Sequence, residues 1–370
     1  MSSISMSMIA PEDGSSGMKS PGSAPVLNII GGMFGLEIGD PAHSASVAAP
    51  VPILAGRHLR LATARSAFTL LARSLRPSVI WLPSYLCPSI IPCFLAAPCP
   101  VRFYAVGEDL RVADRNWLSD VQRGDLVVFI DYFGFNQWEE FGVLARCRGA
   151  WVIEDACQAL ANPRFSDQAH FVIASPRKFV GVPDGGILLA QGDAGLPESP
   201  ASPAPEPWWL EAYRASLLRG EFDHHGGPRE WFPLFQRTEA EGPIEPARMS
   251  ELSALILDRI VDWPELRRRR RANYEFLAGA LRGLALLPEL PADVVPLGCP
   301  VRVPGRDKVR EKLFKQEIYP PIHWRLAGAV PESFVASHRL AADILTLPCD
   351  QRYALADMER MVAAVLSALA

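Results

Sequence analysis

Between residues 60 and 190, short apolar runs alternate with longer segments of mixed polarity. Val79–Pro83, Val101–Val106, Leu126–Phe133, Trp151–Asp155, Phe171–Ser175 and Gly186–Ala190 are apolar without a clean in–out alternation. That pattern predicts strands buried on both faces of a sheet. The segments between them, such as Trp138–Cys147, are long enough for crossover helices. Strands that alternate with helices predict an α/β fold, a mainly parallel sheet sandwiched by helices.

Other periodicities divide the rest of the chain. Residues 1–28 are rich in Ser, Met, Gly and Pro without a period, and read as a disordered tail. A Pro/Ala/Ser-rich insert at 193–207 reads as a mobile surface loop. Trp208–Phe222 fits an amphipathic helix. A long helix is expected from Met249 to about Arg282, kinked at Pro264 and stopped by Gly283. Short strands and a closing helix, Leu355–Leu369, suit a smaller α+β unit. The expected division is therefore a large domain over 29–245 and a small C-terminal domain over 246–370.

Composition narrows the function. The chain has 370 residues, of which 49% are apolar and 21% charged, the balance of a globular protein. A net charge of −4 offers no footprint for nucleic acid. No apolar run is long enough for a membrane span, and no basic stretch precedes an apolar one as in a secretory signal. Seven cysteines is an odd number. Cys87, Cys93 and Cys99 match neither a zinc spacing nor a disulfide framework, so reduced thiols in a cytoplasmic protein are expected. His224-His225 reads as part of a polar Gly/Pro loop, without a carboxylate or thiol at ligand spacing, so no metal is expected. The run Arg267–Arg271 reads as a solvated helical face.

Three segments carry candidate chemistry. Glu154-Asp155-Ala156-Cys157-Gln158 follows a predicted parallel strand, where open α/β sheets place ligands. Ser175-Pro176-Arg177-Lys178 is followed within a few residues by Asp184-Gly185-Gly186. Thr63-Ala64-Arg65-Ser66-Ala67-Phe68 opens a predicted helix. Together they offer a primary amine, a strand-end carboxylate and hydroxyls near a helix N-terminus. Those are the requirements of pyridoxal 5'-phosphate: an amine for its aldehyde, a carboxylate for its ring nitrogen and donors for its phosphate. The alternative for Asp155 is a helix cap at the turn after its strand. Arg177 could face a substrate anion or water, and His323-Trp324 reads as a packed loop.

In order and context these motifs resemble the DegT/DnrJ/StrS family of pyridoxal-phosphate-dependent sugar aminotransferases. The sequence EDACQ is similar to the family's EDAAQ. Asp184-Gly185-Gly186 lies at the family's offset from the lysine, and Arg65-Ser66-Ala67-Phe68 is similar to its helix opening. Arg248-Met249-Ser250-Glu251-Leu252 and Ile344-Leu345-Thr346-Leu347-Pro348 resemble its interdomain helix and final strand. The resemblance implies an aspartate-aminotransferase-like fold (fold type I). It implies a Schiff-base cofactor on Lys178, with Asp155 at the ring nitrogen and Gln158 near the 3-hydroxyl. Ser175, Ser66 and Arg65 would hold the phosphate. Pro83–Cys87 lies where the family sets a residue against the ring, with Tyr85 favoured and Cys87 the alternative. A homodimer with shared sites, an amino-acid donor such as glutamate and a nucleotide-linked keto-sugar acceptor are implied likewise. The same motifs also serve other pyridoxal-phosphate reactions on small amino acids, and a non-catalytic regulatory homologue is the remaining reading. Two departures stand out. Ser175 and Lys178 are two residues closer than usual, and Pro246 stands where the family often has asparagine.

Overall fold

The computed structural model describes residues 29–38, 51–95 and 99–370. The expected tail over 1–28 lies outside these apart from its boundary. Seven strands form the main sheet: β1 (His58–Leu61), β2 (Ile80–Pro83), β3 (Val101–Tyr104), β4 (Leu126–Ile130), β5 (Trp151–Asp155), β6 (Phe171–Ala174) and β7 (Gly186–Ala190). Their order across the sheet is β1-β7-β6-β5-β4-β2-β3. Strands β2 to β6 run parallel, whereas β7 is antiparallel to both β6 and β1. Every residue of β2, β4, β6 and β7 is buried. Such a sheet gains roughly 1.5–3 kcal/mol for each large aliphatic side chain removed from water.

Helix α1 (Ala64–Leu75) follows β1, and α2 (Glu139–Cys147) is the crossover between β4 and β5. Beyond β7 the chain forms a helical hairpin, α3 (Glu206–His225) and α4 (Trp231–Glu241), then α5 (Glu251–Arg259) and α6 (Trp263–Ala280). The C-terminal part carries β8 (Gly298–Arg302), α7 (Arg306–Phe314), α8 (Val335–Asp343), β9 (Ile344–Pro348) and α9 (Leu355–Leu369). There β8 and β9 pair antiparallel.

Three expectations need correction. The single helix from Met249 to Arg282 is two helices, because Asp262 caps α6 by accepting from Glu265 N and Pro264 falls in its first turn. Proline fits there, where an amide would be unsatisfied anyway. His224 and His225 end α3 instead of lying in a loop. The Arg267–Arg271 run is not a solvated face. Only Arg268 and Arg269 pair with Glu265 at the surface. Arg270 is fully buried and donates to the carbonyls of Phe179, Pro296 and Leu297 and to Gln351 Oε1. Arg267 reaches Ala161 O, and Arg271 reaches Pro291 O and Val294 O. These arginines tie α6 to the lysine loop and to the segment before β8.

Candidate active site

The strand register brings all three sequence motifs to one edge of the sheet. Asp155 ends β5 opposite Ile130 of β4 and Ile173 of β6. Ser175 follows β6 directly. Because β7 runs the other way, it starts at this same edge, with Gly186 opposite Leu61 at the end of β1. The next two residues bring the chain to Thr63, which bridges to Gly185. Gly186 must be glycine here, since a Cβ would collide with the Thr63 carbonyl. Thus a close backbone approach joins the lysine loop to the head of α1.

Lys178 lies in a single 3-10 turn, Pro176–Lys178, that follows Ser175. The Ser175 hydroxyl makes no cap to that turn. Downstream, Asp184 is buried and anchors the loop to the start of α5. It accepts from Ser250 N at 2.8 Å, from Ser250 Oγ at 2.5 Å and from Ser253 Oγ. The Asp-Gly-Gly string and the Arg-Met-Ser-Glu-Leu string are therefore halves of one joint.

Asp155 is 6% exposed, and its Oδ1 accepts from Cys157 N at 3.0 Å. Residues 157–161 are turns, so this bond closes a turn and caps no helix. Burial raises the Asp155 pKa, and the charge of Lys178 acts most strongly against that rise. Gln158 is buried, and its Oε1 accepts from Phe133 N at 2.7 Å. Its Nε2 is buried without a hydrogen-bond partner. A buried donor left unpaired costs about 1–3 kcal/mol, which a bound acceptor would recover. His323 is half-buried, with Nδ1 2.8 Å from Thr346 Oγ1. Desolvation, then the neighbouring Lys178, pushes its pKa down to about 3, so it is neutral at physiological pH.

Tyr85 and Cys87 differ in placement. Tyr85 is fully buried between Tyr132 and Trp324, with ring centroids 5.6 and 5.4 Å away. Its carbonyl accepts from Tyr132 Oη at 2.5 Å. The Tyr85 hydroxyl is buried without a hydrogen-bond partner. Cys87 is half-buried, and its Sγ lies 3.0 Å from Ser89 Oγ.

At the head of α1 the expected phosphate ligands already have protein partners. Thr63 Oγ1 donates to Pro243 O at 2.7 Å and accepts from Ser66 N at 3.0 Å. Ser66 Oγ donates to Glu245 O at 2.9 Å. Arg65 Nη1 donates to Glu239 O at 3.2 Å, and Arg177 forms an ion pair with the Glu239 carboxylate. Sequence reasoning missed Glu239, which carries no motif and lies 61 residues beyond Lys178 in a helix with no chemical signature. It also missed Glu154 as a chemical group. Glu154 in β5 and Asp131, the residue after β4, are buried carboxyls hydrogen-bonded to each other, and Asp131 N donates to Asp155 O.

Comparison with known proteins agrees with this architecture. No protein-family model and no curated protein matches the sequence. Solved structures do match. DesV from S. venezuelae is 18% identical, with 84% of each chain covered and a TM-score of 0.62. The aminotransferase TlmJ from Streptoalloteichus hindustanus is 20% identical, covering 84% of this chain and 85% of its own, with a TM-score of 0.60. A DegT DnrJ EryC1 StrS aminotransferase from Brucella abortus is 16% identical, covering 88% and 92%, also at 0.60. Among the described residues, no helix is long and apolar enough to cross a membrane. At these identities the likeness establishes the fold: the chain has the α/β architecture of these aminotransferases, as its strand pattern and motifs lead one to expect.

Proposed function

We propose that the protein is a pyridoxal-phosphate-dependent aminotransferase that moves an amino group from an amino-acid donor to a keto acceptor. The observation that carries this reading is the set at the strand ends: Lys178 beside a buried carboxylate, Asp155, with the unpaired donor Gln158 Nε2 nearby. These residues fit the ring of the cofactor. Lys178 supplies the amine for its aldehyde, Asp155 a counter-charge for its protonated ring nitrogen, and Gln158 Nε2 a donor for its 3-oxygen. Ser175, Ser66 and Arg65 lie toward its phosphate.

When bound, pyridoxal phosphate supplies an electron sink for charge developing on the substrate carbon beside nitrogen. Lys178 then acts through its free amine, taking a proton from that carbon and returning one on the other side of the transfer. Asp155 keeps the ring nitrogen protonated, because a buried cation without a partner would be too costly. Neutral His323 adds no competing positive charge near Lys178.

Glutamate as donor, a nucleotide-linked keto-sugar as acceptor, a homodimer that shares its sites near Arg248 and a cytoplasmic setting belong to this proposal. The likeness to solved aminotransferases supports the amino transfer, and the donor, acceptor, assembly and setting follow from the motif resemblance. Borohydride treatment and peptide mapping should place the cofactor on Lys178; an adduct on another lysine would overturn the assignment. Protein amine-loaded by glutamate should then lose its amine to a keto-sugar nucleotide. Loss only to water or to none of a panel of keto acceptors would exclude transamination.

A further inference from the structure

Glu239, near the end of α4, is the point where two arginines from different elements meet. Arg177 comes from the turn after β6 and pairs with the Glu239 carboxylate. Arg65 comes from the first turn of α1 and donates to the Glu239 carbonyl. Both arginines are half-buried. They also sense each other: after desolvation, Arg65 is the leading cause that lowers the Arg177 pKa, to about 10. Asp184 is a further carboxylate whose charge acts on Arg177, but two serines and a backbone amide already occupy it.

The chain beyond Glu239 continues over the same surface. A Cβ on Gly242 would meet the Arg65 guanidinium, so the segment passes close over that side chain. Pro243 and Glu245 then offer carbonyls to Thr63 and Ser66. The Glu245 carboxylate grips Arg73 through two bonds of 2.7 Å. Residues 239–245 thus form a strap held at both ends by arginines.

Charge decides what belongs under it. The Glu239 carboxylate pairs with Arg177, whereas Arg65 meets only the Glu239 carbonyl, so the two guanidinium groups have one carboxylate between them. A dianion with several acceptor oxygens would satisfy both arginines, as planar guanidinium groups bind phosphate-type oxygens in pairs. We propose that Arg177 and Arg65 form a binding site for a phosphate-type dianion, with Glu239 as the resident counterion that the dianion displaces. This rests on the reading of Lys178 as the cofactor lysine, since Arg177 precedes it and the dianion would be the cofactor's own phosphate. It adds Arg177 to the site and gives the 239–245 strap a role as its competitor.

The test compares pyridoxal 5'-phosphate with pyridoxal, which has the same aldehyde and no phosphate. Each is titrated into cofactor-free wild type, Glu239→Gln, Arg177→Gln and Arg177→Lys, and the adduct on Lys178 is trapped with borohydride. Glu239→Gln should bind pyridoxal phosphate about tenfold more tightly and leave pyridoxal unchanged. Arg177→Gln should weaken pyridoxal phosphate by about tenfold or more and again spare pyridoxal. Arg177→Lys, which keeps the charge in case the glutamine variant folds poorly, should lie between. In parallel, inorganic phosphate should raise the melting temperature of cofactor-free Glu239→Gln more than that of wild type. A phosphate-to-pyridoxal preference equal in all four proteins would overturn the proposal. Failure of both aldehydes to label Lys178 would overturn the cofactor reading instead. The inorganic-phosphate shift would then decide the arginine site alone: equal shifts in wild type and Glu239→Gln would refute it.

Discussion

The two ends of the candidate site are built in opposite ways. At the strand ends, Asp155 has one backbone bond, Gln158 keeps a buried donor unpaired and the Ser175 hydroxyl does not cap its turn. At the head of α1, Thr63, Arg65 and Ser66 all have partners from the segment 239–245. Unspent hydrogen-bonding capacity marks a place prepared for a ligand, since burying it unused is unfavourable. A satisfied cluster marks either permanent structure or a contact that a ligand must replace. The ring end therefore supports the function by what it lacks, whereas the phosphate end must be tested by what it holds.

The largest effect is expected at the open end. Lys178→Ala should abolish borohydride-fixed cofactor and all proton transfer, with little loss of stability because the side chain is half-buried. An absorbing, fixable adduct in this variant would move the chemistry to another residue. Next comes Asp155→Asn, which keeps an acceptor for Cys157 N but removes the charge. A buried charge left without its partner costs about 3–5 kcal/mol. Spent as a barrier, that slows the half-reaction with a saturating amino donor by roughly two to four orders of magnitude. The adduct on Lys178 should survive. Near-wild-type rates would strike Asp155 from the catalytic set and leave it as the turn closure seen at Cys157.

A smaller effect is expected at the closed end. Ser66→Ala removes the donor from Glu245 O and should lower unfolding stability by about 1 kcal/mol, read as a shift in denaturant midpoint. An unchanged midpoint would show that the strap does not rest on this hydroxyl. The contrast between the two ends would then be weaker than their hydrogen bonds suggest.

Legibility in the sequence followed the same physics. Strands β5 and β7 match their expected bounds because both are apolar runs inside a sheet covered on both faces. Strand β1, His-Leu-Arg-Leu, escaped notice because it is a half-exposed edge strand whose polar residues break the run. The strand-end motif was legible because Glu-Asp-Ala-Cys-Gln is local in sequence. The arginine run was misread because its partners are carbonyls at 161, 179 and 291–297, which no local rule can supply. Glu239 was invisible for the same reason: its meaning comes only from the two guanidinium groups the fold brings to it. Tyr85 and Cys87 are two residues apart and lie beyond the end of β2, so strand alternation cannot choose between them. The Tyr85 ring packs between Tyr132 and Trp324, partners far along the chain that no local rule supplies.

The smallest expected effect probes the two carboxyls next to the open end in the chain, Glu154 and Asp131. Glu154 and Asp131 are each 1% exposed and hydrogen-bond to one another. Glu154 Oε2 also accepts from Ser166 N at 2.9 Å, and Asp131 Oδ1 from Trp138 Nε1 at 2.8 Å. Asp155 and Glu139 are the other acidic groups they feel. Two buried carboxyls in contact cannot both ionise readily, so the pair shares a proton. Burial lifts Asp131 to about 6, and burial together with Asp131 lifts Glu154 well above its usual range. A carboxyl whose folded pKa is raised binds its proton more tightly in the native state. Its contribution is complete below the unfolded pKa, about 4.3 for Glu, and is lost as pH rises through the folded value. Glu154→Gln mimics the protonated form: its amide can donate to Asp131 while its oxygen accepts from Ser166 N. Near pH 4 the variant should lie within about 1 kcal/mol of wild type. As pH climbs through 6 and beyond, it should gain stability relative to wild type, because it has no proton to surrender. Denaturant midpoints for both proteins from pH 4 to pH 8 measure this difference. A gap that stays constant with pH would mean that the two carboxyls titrate independently. A variant that falls several kcal/mol below wild type at pH 8 would mean that Glu154 is ionised and paired in the native protein.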